Sequence, residues 1–441
     1  MNEVLLNSHH KIWRIAAPMM LANISVPLLG LVDAAILGHL ESPRYLAAVA
    51  VGTSILSILY WGFGFLRMGT TGASAQAWGA SDATAQSRVF IQSATLALLL
   101  SALIMLLAPP LIPFAVAWLN APPEAAPLSV GYLNIRLYSA PAVLLTYVAI
   151  GWLLGQQRAR WALTITVLTN LLNIILDYWF ILGLGLNTQG AALASVISEY
   201  GGALVALLAI APSLRRHCAR TLLTLAARLS DYPQLLQSSG ALFVRTTALL
   251  LALAFFTAHS AEFGTTVLAA NTLLINLMFF TAHALDGFAH AAEALTGEAV
   301  GKRDFPDFLR TCRRCAEWSV ATAALLSLVL WLGKPLILAV LTDISEVSAI
   351  AASYYPWLIA LPLLSAASYL FDGIFIGALQ TRWMQHTMLV SIVGVYLPTW
   401  YLTQSWGNHG LWFAFCALNL ARGLTLAAAF LMLCHHRRWW L

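Results

Sequence analysis

The chain has 441 residues, of which 60% are hydrophobic and only 9% charged, with a net charge of +5. Soluble domains carry roughly 25% charged residues, so a fold with a water-facing surface all round is excluded. The composition is that of a polytopic membrane protein, and no stretch is long and polar enough to form a separate soluble domain.

A membrane-crossing helix needs about 20 apolar residues, and about twelve such runs follow one another. They lie at roughly 13–38, 46–78, 89–119, 129–155, 161–183, 190–212, 238–260, 266–298, 313–342, 352–379, 384–403 and 410–434. The fold class expected is therefore an all-α membrane protein of twelve spans. The start, "MNEVLLNSHHKIWRIAAP", lacks the short apolar run and small-residue cleavage site of a signal peptide.

The first run contains "LVDAAILGHL", which puts Asp33 in an apolar helix six residues before His39. At 1.5 Å per residue that is roughly 9 Å below the outer face. The second run holds "GTTGASAQAWGAS" and the fourth ends in "GWLLG". Both are small-residue patterns that let helices approach closely. No G-x-x-x-x-G-K-[ST] occurs, so no nucleotide site of that type is expected.

The fifth run, "LTNLLNIILDYWFILG", carries Asp177 at the same depth of roughly 9 Å, with Asn173 one turn earlier on the same face. Ser195, six residues into the sixth run, is the third polar group at that depth. Ionisable residues inside a membrane are costly and are functional candidates. Two nearby carboxylates in a poorly solvated site cannot both ionise cheaply. That suits a proton site, and oxygen ligands at this spacing also suit sodium. The bland alternative is that the two acids face different helices and serve packing.

After the sixth run comes an Arg-rich segment, 213–233, bounded by Pro212 and Pro233. It divides the chain into an N-terminal six-helix lobe (1–212), a linker (213–233) and a C-terminal six-helix lobe (234–441). Sliding the chain by 222 residues aligns the halves. Gly151, Gly155, Arg160 and Trp161 fall on Gly373, Gly377, Arg382 and Trp383, Asp82 on Asp304, and Arg88 on Arg310. Parallel repeats of six spans with a midplane substrate site between them are a transporter architecture.

Lys and Arg sort strongly by loop. Lys11, Arg14, Arg88, Arg158, Arg160, the linker arginines 215, 216, 220 and 228, the cluster at 302–314, Arg382, Arg437 and Arg438 fall on one side. Arg44, Arg136 and Lys334 fall on the other. The positive-inside rule then puts both termini in the cytoplasm. The net charge is a topology signal, and no nucleic-acid partner is expected.

The eighth run, "NLMFFTAHALDGFAHAAE", lines up His283, Asp286, His290 and Glu293 on one helix face, extended by Asn276. Asp372 in the tenth run is likewise confined to the second half. Arg67, Arg245 and Arg422 are the deep arginines available to such acids. One reading pairs Asp286 or Glu293 with Arg245 or Arg422. Another makes the stripe a second proton or cation face of a C-lobe cavity. A metal site is disfavoured, because four ligands spread over three turns cannot reach one ion, and none is expected.

Trp118, Trp439 and Trp440 read as interface anchors. Trp61, Tyr147, Phe279 and Phe280 are candidates for cation–π contact with a planar cation. Of the five cysteines, Cys312 and Cys315 form a C-x-x-C with no second pair, so they are read as ordinary thiols.

The chain resembles the multidrug and toxic compound extrusion (MATE) transporters, DinF-like branch, over nearly its whole length. The residues that carry the resemblance are "PMMLANISVPLLGLVDAAILGHL", "GWLLGQQRAR", "LTNLLNIILDYWFILGLGL" and "YLFDGIFIGALQTR". The resemblance implies export of organic, often cationic, drugs by antiport with H⁺ or Na⁺. It implies that Asp33 is the principal proton site and that Asn173 and Asp177 form its network, with Ser195 where some relatives have Thr. It also implies a first-span bend at a proline matching Pro18. This sequence has a second, Pro27, so both are candidate hinges. Asp372 resembles the acid that sodium-coupled relatives use.

The expectation is a proton-coupled multidrug antiporter with alternating access and no cofactor, a monomer in the lipid of a bacterial inner membrane. The alternatives are Na⁺ coupling, or a flippase for a lipid-linked precursor. A metal enzyme built on the eighth-run stripe and a plain channel are weaker rivals.

Overall fold

The computed structural model describes residues 2–215, 224, 232–436 and 439, with side chains from His9 onward. Most of the segment 213–233, together with Arg437, Arg438 and Trp440, lies outside the described residues. Among the described residues, twelve long helical elements follow in order. They are α1 (Asn2–Gly38), α2 (Pro43–Gly79, with a turn at Phe63 and Gly64), α3 (Ala83–Leu107), α4 (Ala126–Gly155), α5 (Ala159–Gly183) and α6 (Asn187–Leu214), then α7 (Tyr232–Glu262), α8 (Thr265–Gly301), α9 (Phe305–Leu341), α10 (Ser345–Gly377), α11 (Thr381–Thr403) and α12 (Asn408–His436). Among the described residues, eleven of these are long and apolar enough to cross a membrane.

The twelfth is α11. It breaks into a helix at Thr381–Ser391, a π turn at Ile392–Tyr396 and a short helix at Leu397–Thr403. The run 89–119 also departs from expectation. Its helix stops at Leu107, and a separate short helix covers Ile112–Trp118. Pro109 and Pro110 lie between them, and a proline lacks the N–H that would continue the ladder.

The chain forms two compact units. One is Leu21–Leu236, and the other is Gln237–Leu441 together with Met1–Met20. The first unit is built around α4, which packs on α2, α3 and α6. The second is built around α10, which packs on α8, α9 and α12. Each central helix has 61% of its apolar stretch buried, against 17% for the peripheral α9. The core of the second unit is aromatic, with Phe256, Tyr355, Tyr396, Trp412 and Phe415 in one cluster.

The internal repeat is visible atom by atom within each unit. Asp82 caps α3 by accepting from the Ala85 N–H at 2.9 Å, and Asp304 caps α9 by accepting from the Asp307 N–H at 2.9 Å. The residues just before the caps, Ser81 (φ 56°) and Arg303 (φ 58°), share a left-handed backbone, as do Gln157 (φ 59°) and Leu379 (φ 56°). The glycines have matching duties. A methyl on Gly151 would overlap the Arg67 carbonyl, and one on Gly373 would overlap the Ala289 carbonyl. Gly155 approaches the Thr71 carbonyl and Gly377 the Glu293 carbonyl in the same way. The 222-residue offset therefore reproduces close helix contacts as well as letters.

Trp439 is 1% exposed and packs against Phe308, Phe375 and Phe430. It is a core residue of its unit, which corrects its reading as an interface anchor. Trp118 is 77% exposed. Cys312 and Cys315 are buried free thiols.

Candidate functional site

In the first unit, α1 and α5 meet along one polar seam. Asp33 on α1 and Asp177 on α5 bring their carboxyls within hydrogen-bond reach of each other. Asp177 is 1% exposed and Asn173 3% exposed, while Asp33 is half-buried. One carboxylate oxygen of each acid, Oδ1 in both, and the Asn173 Nδ2 are buried without a hydrogen-bond partner. The α-helical part of α5 ends at Asp177, and a π turn, Tyr178–Gly183, follows directly. Such turns are frequent at functional sites.

Lower on the same seam, the Asn170 amide donates to the Ser25 carbonyl at 3.2 Å and to the Ser25 hydroxyl at 3.1 Å. The pairs Ser25–Asn170 and Asp33–Asp177 occur in the same chain order, so α1 and α5 run parallel along the seam. Asn170, Asn173 and Asp177, at i, i+3 and i+7, share one face of α5.

Ser195 on α6 is half-buried. Its carbonyl accepts from the Ser198 hydroxyl at 2.9 Å, and no hydrogen bond between its own hydroxyl and Asp33 or Asp177 is among those described. One turn on, Glu199 accepts two hydrogen bonds from Arg136, at 2.9 and 3.0 Å. Arg136 is therefore a buried residue of α4, 9% exposed, and not the outer-loop cation its position suggested. It also donates to Ser139, which sits 3.2 Å from the Tyr60 hydroxyl. Its charge reaches both Asp33 and Asp177 electrostatically.

Of the four candidate aromatics, Tyr147 is half-buried and joins the electrostatic neighbourhood of Glu199, Tyr60 and Arg67. Trp61 is 39% exposed and Phe280 48% exposed. Phe279 packs against the core of the second unit. Tyr147 thus belongs to the polar network of the first unit. Pro18 and Pro27 both sit within the continuous helix α1.

In the second unit the charges sort differently from expectation. Asp372 on α10 accepts from both Arg245 on α7 and Arg422 on α12, the latter at 2.9 Å. Arg422 also donates to Asn419 at 3.3 Å. Glu293 faces His290 on its own helix at 3.2 Å. The two deep arginines thus converge on Asp372, and within α8 Glu293 is bonded to His290. His283 lies near Asp286 and His290, and Asp286 near Tyr369. Asn276 is exposed, and Arg67 is half-buried, not deeply buried as expected. Among the described residues, no three His, Cys, Asp or Glu side chains are grouped to hold a metal ion.

Sequence reasoning passed over Ser25, Asn170 and the partnership of Arg136 with Glu199. Asn170 had a usable signal, its place three residues before Asn173 on the α5 face. Arg136 had a weaker one, a guanidinium inside an apolar run with an acid at similar depth on the next helix.

The MatE family model matches the chain twice, at residues 18–179 and 242–402, once in each half. The chain is 41% identical to DNA damage-inducible protein F of Escherichia coli strain K12, over 96% of this chain and 92% of that protein. It is 29% identical to a probable multidrug resistance protein NorM of Xanthomonas axonopodis pv. citri, over 94% and 91%. Its fold matches a mutant structure of the Vibrio cholerae MATE transporter VcmN with a TM-score of 0.84 at 20% identity, covering 98% of each chain.

Proposed function

The chain belongs to the MatE family, and from that premise we propose that it is a secondary multidrug transporter exporting organic cations in exchange for protons. The observation that carries the proposal is the meeting of Asp33 and Asp177. Two carboxyls within hydrogen-bond reach hold that contact only while they share a proton. With both ionised they repel by about 4 kcal/mol at roughly 4 Å and an effective dielectric near 20.

A proton arriving from outside draws the outer part of α1 onto α5 and removes negative charge. Its loss to the cytoplasm separates them and leaves an acid for a cation. Drug and proton then compete for one charge, which is what exchange requires. Each proton moving inward supplies roughly 2.3 kcal/mol per 100 mV, before any pH gradient.

Sodium coupling through the second unit is less well supported. Asp372 is held between two guanidiniums, and a carboxylate so compensated offers little attraction to a further cation. Glu199 is likewise neutralised by Arg136, so Asp33 and Asp177 remain the acids best placed to favour a cationic cargo over an anionic lipid precursor. The same reading places the protein as a monomer in a bacterial inner membrane, with both termini cytoplasmic.

The test is efflux of a fluorescent organic cation from proteoliposomes under an imposed pH or Na⁺ gradient. Efflux driven by pH alone and lost in Asp33→Asn is expected. Efflux driven by Na⁺ and indifferent to Asp33→Asn would sink the proposal.

A further inference from the structure

A proline in α4 shapes the surroundings of Arg136. In an unbroken helix the Leu137 carbonyl accepts from residue 141, which is Pro141 and has no N–H. The Ala140 N–H serves Leu137 instead, closing a 3₁₀ turn at Leu137–Ser139, and the Arg136 carbonyl loses its own helical donor. The Ser139 hydroxyl replaces it, donating to that carbonyl at 2.7 Å. Its hydrogen is thereby committed, so its oxygen accepts from the Tyr60 hydroxyl at 3.2 Å and from Arg136 Nη1 at 3.3 Å.

Helix α6 packs against both α4 and α5 and braces the same break. Glu199 takes the Arg136 guanidinium in a two-pronged bond, at 2.9 and 3.0 Å. The next residue, Tyr200, donates from its hydroxyl to the Tyr138 carbonyl at 3.0 Å. A planar guanidinium gripped at two nitrogens has little freedom to turn. Its buried charge is fixed by α2, α4 and α6, while the two acids it acts on, Asp33 and Asp177, come from α1 and α5.

A buried ion pair is weak evidence for stability, since well-packed apolar groups often serve as well. The orientation of this one gives it another role. Arg136 acts on Asp33, Asp177 and Tyr60, whereas Glu199 acts on Tyr60 and Tyr147. The positive end thus lies toward the carboxyls and the negative end toward the tyrosines. We infer that Arg136 and Glu199 are positioning residues that hold one fixed positive charge against the Asp33–Asp177 contact, and so set the pH at which that contact takes up its proton. This rests on the proposed role of the carboxyl pair as the proton site. The other titratable groups around Arg136 are Tyr60 on α2 and Tyr132 on α4, and Arg67 on α2 acts on Tyr147 of α4.

Carbodiimide labelling of the full chain in lipid nanodiscs tests the inference without any drug. Dicyclohexylcarbodiimide adds to a protonated carboxyl in apolar surroundings and leaves an acylurea. Peptide mass spectrometry reads the extent of labelling at Asp33 and Asp177 between pH 5 and pH 9. Wild-type labelling is expected to fall as the pH rises, through a definite midpoint. Arg136→Gln removes the charge that favours ionised carboxyls, so the midpoint rises by about one pH unit. Glu199→Gln removes the opposing charge and leaves Arg136 unbalanced, so the midpoint falls. Arg136→Lys keeps the charge and stays close to wild type.

The double variant Arg136→Gln/Glu199→Gln leaves neither charge unmatched, so it serves where a single variant does not fold. Its midpoint is expected between those of Arg136→Gln and wild type. Loosened packing alone moves both single variants the same way. Single variants whose midpoints move together, a double variant at the wild-type midpoint, or an Arg136→Lys midpoint as high as that of Arg136→Gln overturns the inference and leaves the carboxyl pair as the proton site. Wild-type labelling at Asp33 and Asp177 that does not change with pH overturns the proton site itself.

Discussion

At the scale of single residues, the first unit contains two kinds of charge. Arg136 and Glu199 neutralise each other through two hydrogen bonds. Asp33 and Asp177 have no such partner and face one another. Removing one member of a buried pair leaves an uncompensated charge and costs about 3–5 kcal/mol. Glu199→Gln is therefore expected to lower thermal stability in detergent far more than Asp33→Asn. The double variant Arg136→Gln/Glu199→Gln recovers part of that loss. Melting curves of the four proteins check this, and a Glu199→Gln protein as stable as wild type would show that the pair contributes nothing. Asp372→Asn leaves Arg245 and Arg422 facing each other, so a stability loss of similar size is expected there too.

At the scale of helices, the repeat makes a paired prediction. Gly151 and Gly373 each lie against a carbonyl one helix away, so Gly→Ala forces the helices apart. Overpacking of this kind costs about 1–3 kcal/mol. Gly131, with nothing near the position of an added methyl, is the control. Gly151→Ala and Gly373→Ala are expected to destabilise the protein about equally, and Gly131→Ala hardly at all, as read by melting temperature. Unequal losses at the two glycines would mean that the repeat's packing is not energetically equivalent.

At the scale of the whole molecule, the proposed exchange sets the direction of transport by the proton's path. In everted vesicles the lumen corresponds to the outside, so an acid lumen is expected to drive drug uptake, and an exchanger of K⁺ for H⁺ that collapses the gradient is expected to abolish it. Uptake that survives collapse of the pH gradient and follows Na⁺ instead would return attention to the second unit.

Much of this protein is decided along the chain itself. Hydropathy sets the membrane class, because charge-poor runs of this length have no other stable environment. The 222-residue offset sets the two-fold repeat, and its caps and close-approach glycines recur at matching positions. Helical spacing places Asn173 and Asp177 on one face, because the period of a helix is local.

The pairing of charges is decided only in the tertiary structure. Arg136 reads as a loop cation until α6 brings Glu199 to it, and Arg245 and Arg422 converge on Asp372 across three helices. Asn170 gains its meaning only when α1 lies alongside α5. The reason is physical: rise and period give a residue's depth and face on its own helix. Which charges meet depends on interhelical distances of a few ångströms, set by packing contacts far apart in the chain.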